Sequence, residues 1–103
     1  MTVFEEVIVE EISRLEHNIS HYEKMLSSLP RGSIFIRKMG NSFYAYRKRK
    51  ENRVVVSEYL GNINNENIQK EIELSKDYKR IKNNIRISKQ ELARLKKAYS
   101  VYN

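Results

Sequence analysis

Residues 30–61, PRGSIFIRKMGNSFYAYRKRKENRVVVSEYLG, hold three runs rich in β-branched and aromatic residues, separated by short polar breaks. Runs of this kind bounded by Gly, Asn and Pro read as strands, and three in succession predict an antiparallel meander over 33–60. Gly40-Asn41 suits a two-residue hairpin turn, and Glu51-Asn52 falls where a second reversal is needed. Between Arg31 and Arg53 the stretch carries eight basic residues and one acid, Glu51; its net charge of +7 equals the formal charge of the whole 103-residue chain. The electrostatic weight of the sequence thus falls on the meander.

Outward from the meander the pattern changes period. Before it, Thr2 followed by Glu5 forms a capping box, and Ile8, Ile12, Leu15, Ile19, Tyr22, Leu26 and Leu29 step by four and three up to Pro30, which predicts a helix over 2–29. After it, Asn64 or Asn65 can cap a second helix over 65–100, with Glu66 in its first turn and fraying expected from about Tyr99. Leu74, Tyr78, Ile81, Ile85, Ser88, Leu92, Leu95, Tyr99 and Tyr102 carry the same stepping there. Ile68 and Ile72 lie one position out of that register, as expected where the helix turns from a helical partner to the sheet. The expected fold is therefore α+β and a single domain: two long antiparallel helices, coiled-coil-like, with the three-stranded meander inserted between them. Charge agrees with that pairing. Residues 1–30 hold six acids and two bases, whereas residues 79–97 hold eight bases and one acid, so antiparallel packing sets opposite signs side by side. Heptads alone also admit a parallel homodimeric coiled coil, so the chain is expected to be a monomer or a homodimer through these seams.

The chain contains no cysteine, which excludes disulfide frameworks, cysteine zinc sites and thiol catalysis. Acids at the N-terminus and the lack of an apolar run of about 18 residues lead us to expect no membrane partner and a cytoplasmic protein of a bacterial host cell. The three glycines form no phosphate-binding loop, and Asp77 is the single aspartate. No nucleophile and base can be brought together, so a non-enzyme without cofactors is expected. His17 and His21 have the four-residue spacing of a helical metal pair, but no third ligand accompanies them, so no metal is expected.

Alternation along the strands sorts the meander into two faces. One collects Ile34, Ile36, Phe43, Ala45, Val54, Val56 and Leu60, with Lys38, Arg47 and Glu58 towards its edges; the other collects Phe35, Arg37, Tyr44, Tyr46, Lys48, Arg53, Val55, Ser57 and Tyr59. Period two does not say which face is buried. Aromatics mixed with cations stack bases and neutralise phosphates, and the same tyrosines are also ordinary strand residues. The run Arg47-Lys48-Arg49-Lys50, expected at a hairpin tip, reads either as a solvated turn or as a loop reaching an anionic groove. The candidate binding residues are Arg37, Lys38, Arg47, Lys48, Arg49, Lys50 and Arg53 for phosphates or an acidic patch, and Tyr44 and Tyr46 for stacking.

Leu29-Pro30-Arg31-Gly32-Ser33-Ile34, Tyr44-Ala45-Tyr46 and Ser57-Glu58-Tyr59-Leu60-Gly61, followed by a charged helix, resemble a family of small phage and mobile-element proteins with an LPxGS motif, a tyrosine-rich hairpin, an SxYLG motif and a coiled-coil helix. The resemblance spans roughly Leu29 to the C-terminal end. Val54-Val55-Val56 departs from it, since such proteins tend to alternate Val with Lys or Arg. Similar hairpins stand at the front of some transposases, and small basic proteins of mobile elements include anti-CRISPR inhibitors. The resemblance therefore implies nucleic acid, or a nucleoprotein effector such as a CRISPR-type nuclease, as the partner. A dimeric DNA-binding regulator or antitoxin and a structural coiled-coil adaptor are the alternatives.

Overall fold

The structure, a computed structural model, describes residues 2–102, the side chain of Tyr102 excepted. Its elements are α1 (Val3–Ser27), β1 (Ser33–Met39), β2 (Ser42–Glu51), β3 (Val54–Asn62) and α2 (Glu66–Tyr102). The chain is α+β, two long helices with a three-stranded antiparallel sheet between them in sequence. It forms two compact units, one holding residues up to Ser28 with those from Ile81 onward, the other residues Leu29 to Arg80.

In the first unit α1 starts on its expected cap: Thr2 is extended, and its hydroxyl accepts from the Glu5 backbone N–H at 3.2 Å. At the far end the Ser27 and Ser28 hydroxyls donate to the carbonyls of Lys24 and Met25. The helix closes there at Ser27, ahead of Leu29 and Pro30. Ile8, Leu15 and Ile19 of α1 and Ile81 and Ile85 of α2 are buried, all members of the two expected stripes. Ile12, Tyr22, Leu26, Ser88, Leu92, Leu95 and Tyr99 lie half-buried beside them. The Tyr102 side chain, last of the α2 stripe, lies outside the described residues; the helix itself runs to this residue, two beyond the expected end at 100.

The direction of this pairing follows from two contacts. Lys89 donates to Glu23, near the end of α1, at 3.3 Å, and Phe4 at the start of α1 shares a shallow depression with Arg94, Lys97, Ala98 and Val101 late in α2. Late residues of one helix thus meet earlier residues of the other, as antiparallel helices must. Arg14 is hydrogen-bonded by Glu11 one turn away and attracted more weakly by Glu91 of α2, so its guanidinium titrates above the usual arginine value. The same bond from Arg14 holds the Glu11 carboxyl below the ordinary glutamate range.

In the second unit the strand order is β1-β2-β3. Met39 pairs with Ser42 across Gly40-Asn41, and only Gly40 has positive φ (64°), the pattern of a type II′ turn. The second reversal differs from expectation. Glu51 pairs with Val54, so the turn is Asn52-Arg53 rather than Glu51-Asn52, and both residues take positive φ (48° and 69°) as a type I′ turn requires. Two corrections follow. The basic run is the second half of β2 rather than a hairpin tip, and Arg53 belongs to the turn rather than to the tyrosine face. A bulge accounts for a third: Ala45 pairs with Gly61 and Tyr46 with Tyr59, which leaves Leu60 as the extra residue with no partner opposite.

The Asn65 side chain caps α2, accepting from the Asn67 N–H at 2.8 Å, while Asn62 accepts from the Asn64 N–H at 2.9 Å in a preceding Asx turn. Asn65→Ala is expected to cost about 1 kcal/mol, read as a lower urea midpoint at unchanged slope. Up to Arg80 the helix belongs to the unit that holds the sheet. Ile68 lies so close to Gly61 that a Cβ there would stand 3.2 Å from its Cδ1, and Glu71 bonds Arg47 of β2. From Ile81 it serves α1. The boundary between the units thus falls at Ile81 and not at the register slip near Ile72, so Leu74 and Tyr78 of the α2 stripe belong to the unit that holds the sheet.

Candidate nucleic-acid interface

The pairing register shows what each sheet face carries. Ile34 faces Arg47, Ile36 faces Ala45 and Lys38 faces Phe43; on β3 the same face continues through Glu58, Val56 and Val54. Ala45 is completely buried and Arg47 half-buried against Glu71, so this aliphatic face is the one that α2 covers, at the Ala45–Arg47 end. Further out along it Ile36, Phe43 and Val54 remain exposed.

The opposite face carries Ser33, Phe35, Arg37 and Met39 of β1, Ser42, Tyr44, Tyr46, Lys48 and Lys50 of β2, and Val55, Ser57 and Tyr59 of β3. Its aromatic rings touch one another. Phe35 and Tyr46 stack with centroids 5.3 Å apart and planes 16° from parallel, Tyr59 meets Tyr46 edge-on at 5.5 Å, and Tyr44 lies 6.1 Å from Tyr59. Contacts of this geometry stabilise beyond their buried area and keep the rings in place. Tyr46 also donates to the Met39 sulfur at 3.7 Å. Met39, Tyr44, Tyr46 and Tyr59 line a depression of about 250 Å³, and Tyr59 is 58% exposed above it. Cations flank the rings: Arg37 lies 5.7 Å over Tyr46, and Lys48 lies 5.3 Å over Phe35.

Alternation therefore separates the charges of the basic stretch. Arg47 and Arg49 fall on the covered face, where Arg47 bonds Glu71, and Arg49 bridges Glu51 at 2.8 Å and Glu58 at 3.2 Å. Both carboxylates of the strands, Glu51 and Glu58, are on that face too. The tyrosine face keeps Arg37, Lys48 and Lys50 and carries no acid. Of the nine candidate residues, Arg37, Tyr44, Tyr46, Lys48 and Lys50 share this face. Lys38 points to the other side, 5.8 Å over Phe43, and Arg53 occupies the turn.

Phe35, Tyr59 and Met39 complete the arrangement without having been among the nine. Parity along β1 and β3 already put Phe35 and Tyr59 on the face, and Met39 shares the parity of Phe35 and Arg37. The pairing of Arg47 with Glu71, 24 positions away, left no local signal in the sequence. His17 and His21 are exposed on α1, and among the described residues no group of three metal-ligating side chains comes together. No helix among them is long and apolar enough to cross a membrane. No protein-family model, curated protein or solved structure matches this chain.

Proposed function

We propose that this chain is a non-enzymatic nucleic-acid-binding module whose contact surface is the tyrosine face of the meander. In the phage or mobile-element setting that its motifs suggest, the bound nucleic acid would belong to a nucleoprotein, an RNA-guided nuclease of the CRISPR type being the example, and occupancy alone would inhibit it. One observation supports this reading above the others: Arg37 and Lys48 flank a partly exposed aromatic cluster and Lys50 shares their face, from which every strand carboxylate is absent. Uncompensated cations on a fixed sheet attract phosphate, whereas Arg47 and Arg49, already bonded to carboxylates, have far less to gain from it.

The test compares two charge-removal variants by fluorescence anisotropy with a labelled oligonucleotide. Arg37→Gln, Lys48→Gln and Lys50→Gln together are expected to weaken binding about 10- to 100-fold. They should also reduce the salt slope by roughly 2, at about 0.7 per lost contact to a single strand. Arg49→Gln should leave both within about twofold, since its charge is already bridged. Equal losses from the two variants, or none from the triple variant at unchanged helicity, would remove the assignment.

A further inference from the structure

We infer that the tyrosine face selects unpaired over duplexed nucleic acid by stacking a single base in the depression lined by Met39, Tyr44, Tyr46 and Tyr59. This rests on the nucleic-acid reading above and specifies its substrate class. The face divides along β2 into two bands. Tyr44 and Tyr46, with Phe35 and Tyr59 beside them, form the aromatic band; Lys48 and Lys50, with Ser33 and Ser57 opposite Lys48, form a polar and basic one. Alternate side chains on a strand stand about 7 Å apart, so the bands are adjacent, suiting a nucleotide whose base lies on the first and whose phosphates lie on the second.

Within the aromatic band the rings are not equivalent. Phe35 and Tyr46 stack on each other and each has a cation over its ring, Lys48 on Phe35 and Arg37 on Tyr46, so part of their π surface is already engaged. Tyr44 and Tyr59 are tilted 42° to one another with centroids 6.1 Å apart, too close to admit a base between them, so a base would stack on one of these rings from the depression that they line with Met39 and Tyr46. At about 250 Å³ it falls below the ~300–1,000 Å³ of typical small-molecule pockets. That leaves room for one planar ring system with a polarizable thioether beside it. Bases in a duplex are stacked on their neighbours and offer no free face to such a slot, whereas those of a single strand do. Stacking on tyrosine accepts any base, so little sequence preference is expected. Lys48 and Lys50 contact phosphate, which both forms carry, so they contribute affinity without discriminating.

The experiment measures binding of the full chain to a labelled single-stranded oligonucleotide and to its duplex. It uses the unmodified protein, Tyr59→Leu, Tyr44→Leu, and the Lys48→Gln, Lys50→Gln double variant. Tyr59 is exposed, so its replacement tests the slot without threatening the fold, and circular dichroism checks Tyr44→Leu. The unmodified protein should bind the single strand at least about tenfold more tightly than the duplex. Each tyrosine variant should lose about 5- to 100-fold on the single strand and under about twofold on the duplex. The lysine variant should weaken both. With no tryptophan in the chain, the part of the tyrosine quenching that Tyr59→Leu removes reports the stacking, and it should appear with the single strand alone. Equal affinities, or tyrosine variants that bind the single strand unchanged, overturn the base slot and leave the nucleic-acid reading standing. Failure to bind either form removes both.

Discussion

Gly32→Ala is expected to destabilise the chain by about 2–4 kcal/mol, a large effect for the addition of one methyl group. Gly32 precedes β1 with φ of +95°, where an L-residue with a Cβ is strained, and its Cβ would lie 2.6 Å from the Lys48 backbone oxygen and 3.3 Å from the Arg49 Cβ. The obstructing atom is main chain in the middle of a paired strand, so it cannot swing away as a flexible side chain would. Either β1 moves off β2 or the Ser33–Lys48 pair opens. Gly40→Ala supplies the control. Gly40 also has positive φ (64°) but nothing within 4 Å of its Cβ position, so that variant bears the backbone term alone, about 1–2 kcal/mol. Urea unfolding of the two variants separates conformation from crowding, and equal losses would show that the approach to Lys48 relaxes without cost. Because Lys48 belongs to the proposed contact face, Gly32→Ala should also weaken nucleic-acid binding in the fraction that remains folded, whereas Gly40→Ala should not.

What the sequence discloses of this molecule follows the range of the interactions involved. Thr2 and Asn65 as caps, Gly40-Asn41 as a turn, the two four-three stripes and the parity of the strands are local and were legible, because each depends on residues within a turn or a pleat of one another. The second turn was misplaced by one residue because Glu51-Asn52 and Asn52-Arg53 are similar in composition. What decides between them is the Glu51–Val54 pair, fixed by register along the whole of β2. With β2 paired through Glu51, all four cations of the basic run lie within a strand and not at its tip. This changes their meaning, since a strand sends neighbours to opposite faces. Which tyrosine face stays open was not legible either, because it depends on α2 meeting the Ala45 side through Ile68 and Glu71.

Leu15→Ala and Ile81→Ala should each cost about 2–4 kcal/mol while leaving nucleic-acid affinity of the folded protein within about twofold. Leu15 is 3% exposed and Ile81 2%, in a unit whose buried apolar side chains, among the described residues, are Ile8, Leu15, Ile19, Ile81 and Ile85. With so small a core, the loss of three side-chain carbons from either residue cannot be absorbed by others, and helices bent inward to fill the gap would break the four-three interdigitation. Ser88, in the same α2 stripe, is half-buried and polar, so Ser88→Ala should move stability by less than about 1 kcal/mol. The functional half of the prediction follows from where the residues sit. Arg37, Tyr44, Lys48, Lys50 and Tyr59 all belong to residues 29–80, whereas Leu15 and Ile81 belong to the other unit. Affinity measured well below the unfolding transition should therefore be insensitive to the seam, and salt dependence should be unchanged. If instead Leu15→Ala removed binding as thoroughly as the loss of Lys48 and Lys50, with helicity intact, the helix pair would itself be part of the contact surface and the assignment to the meander alone would be wrong.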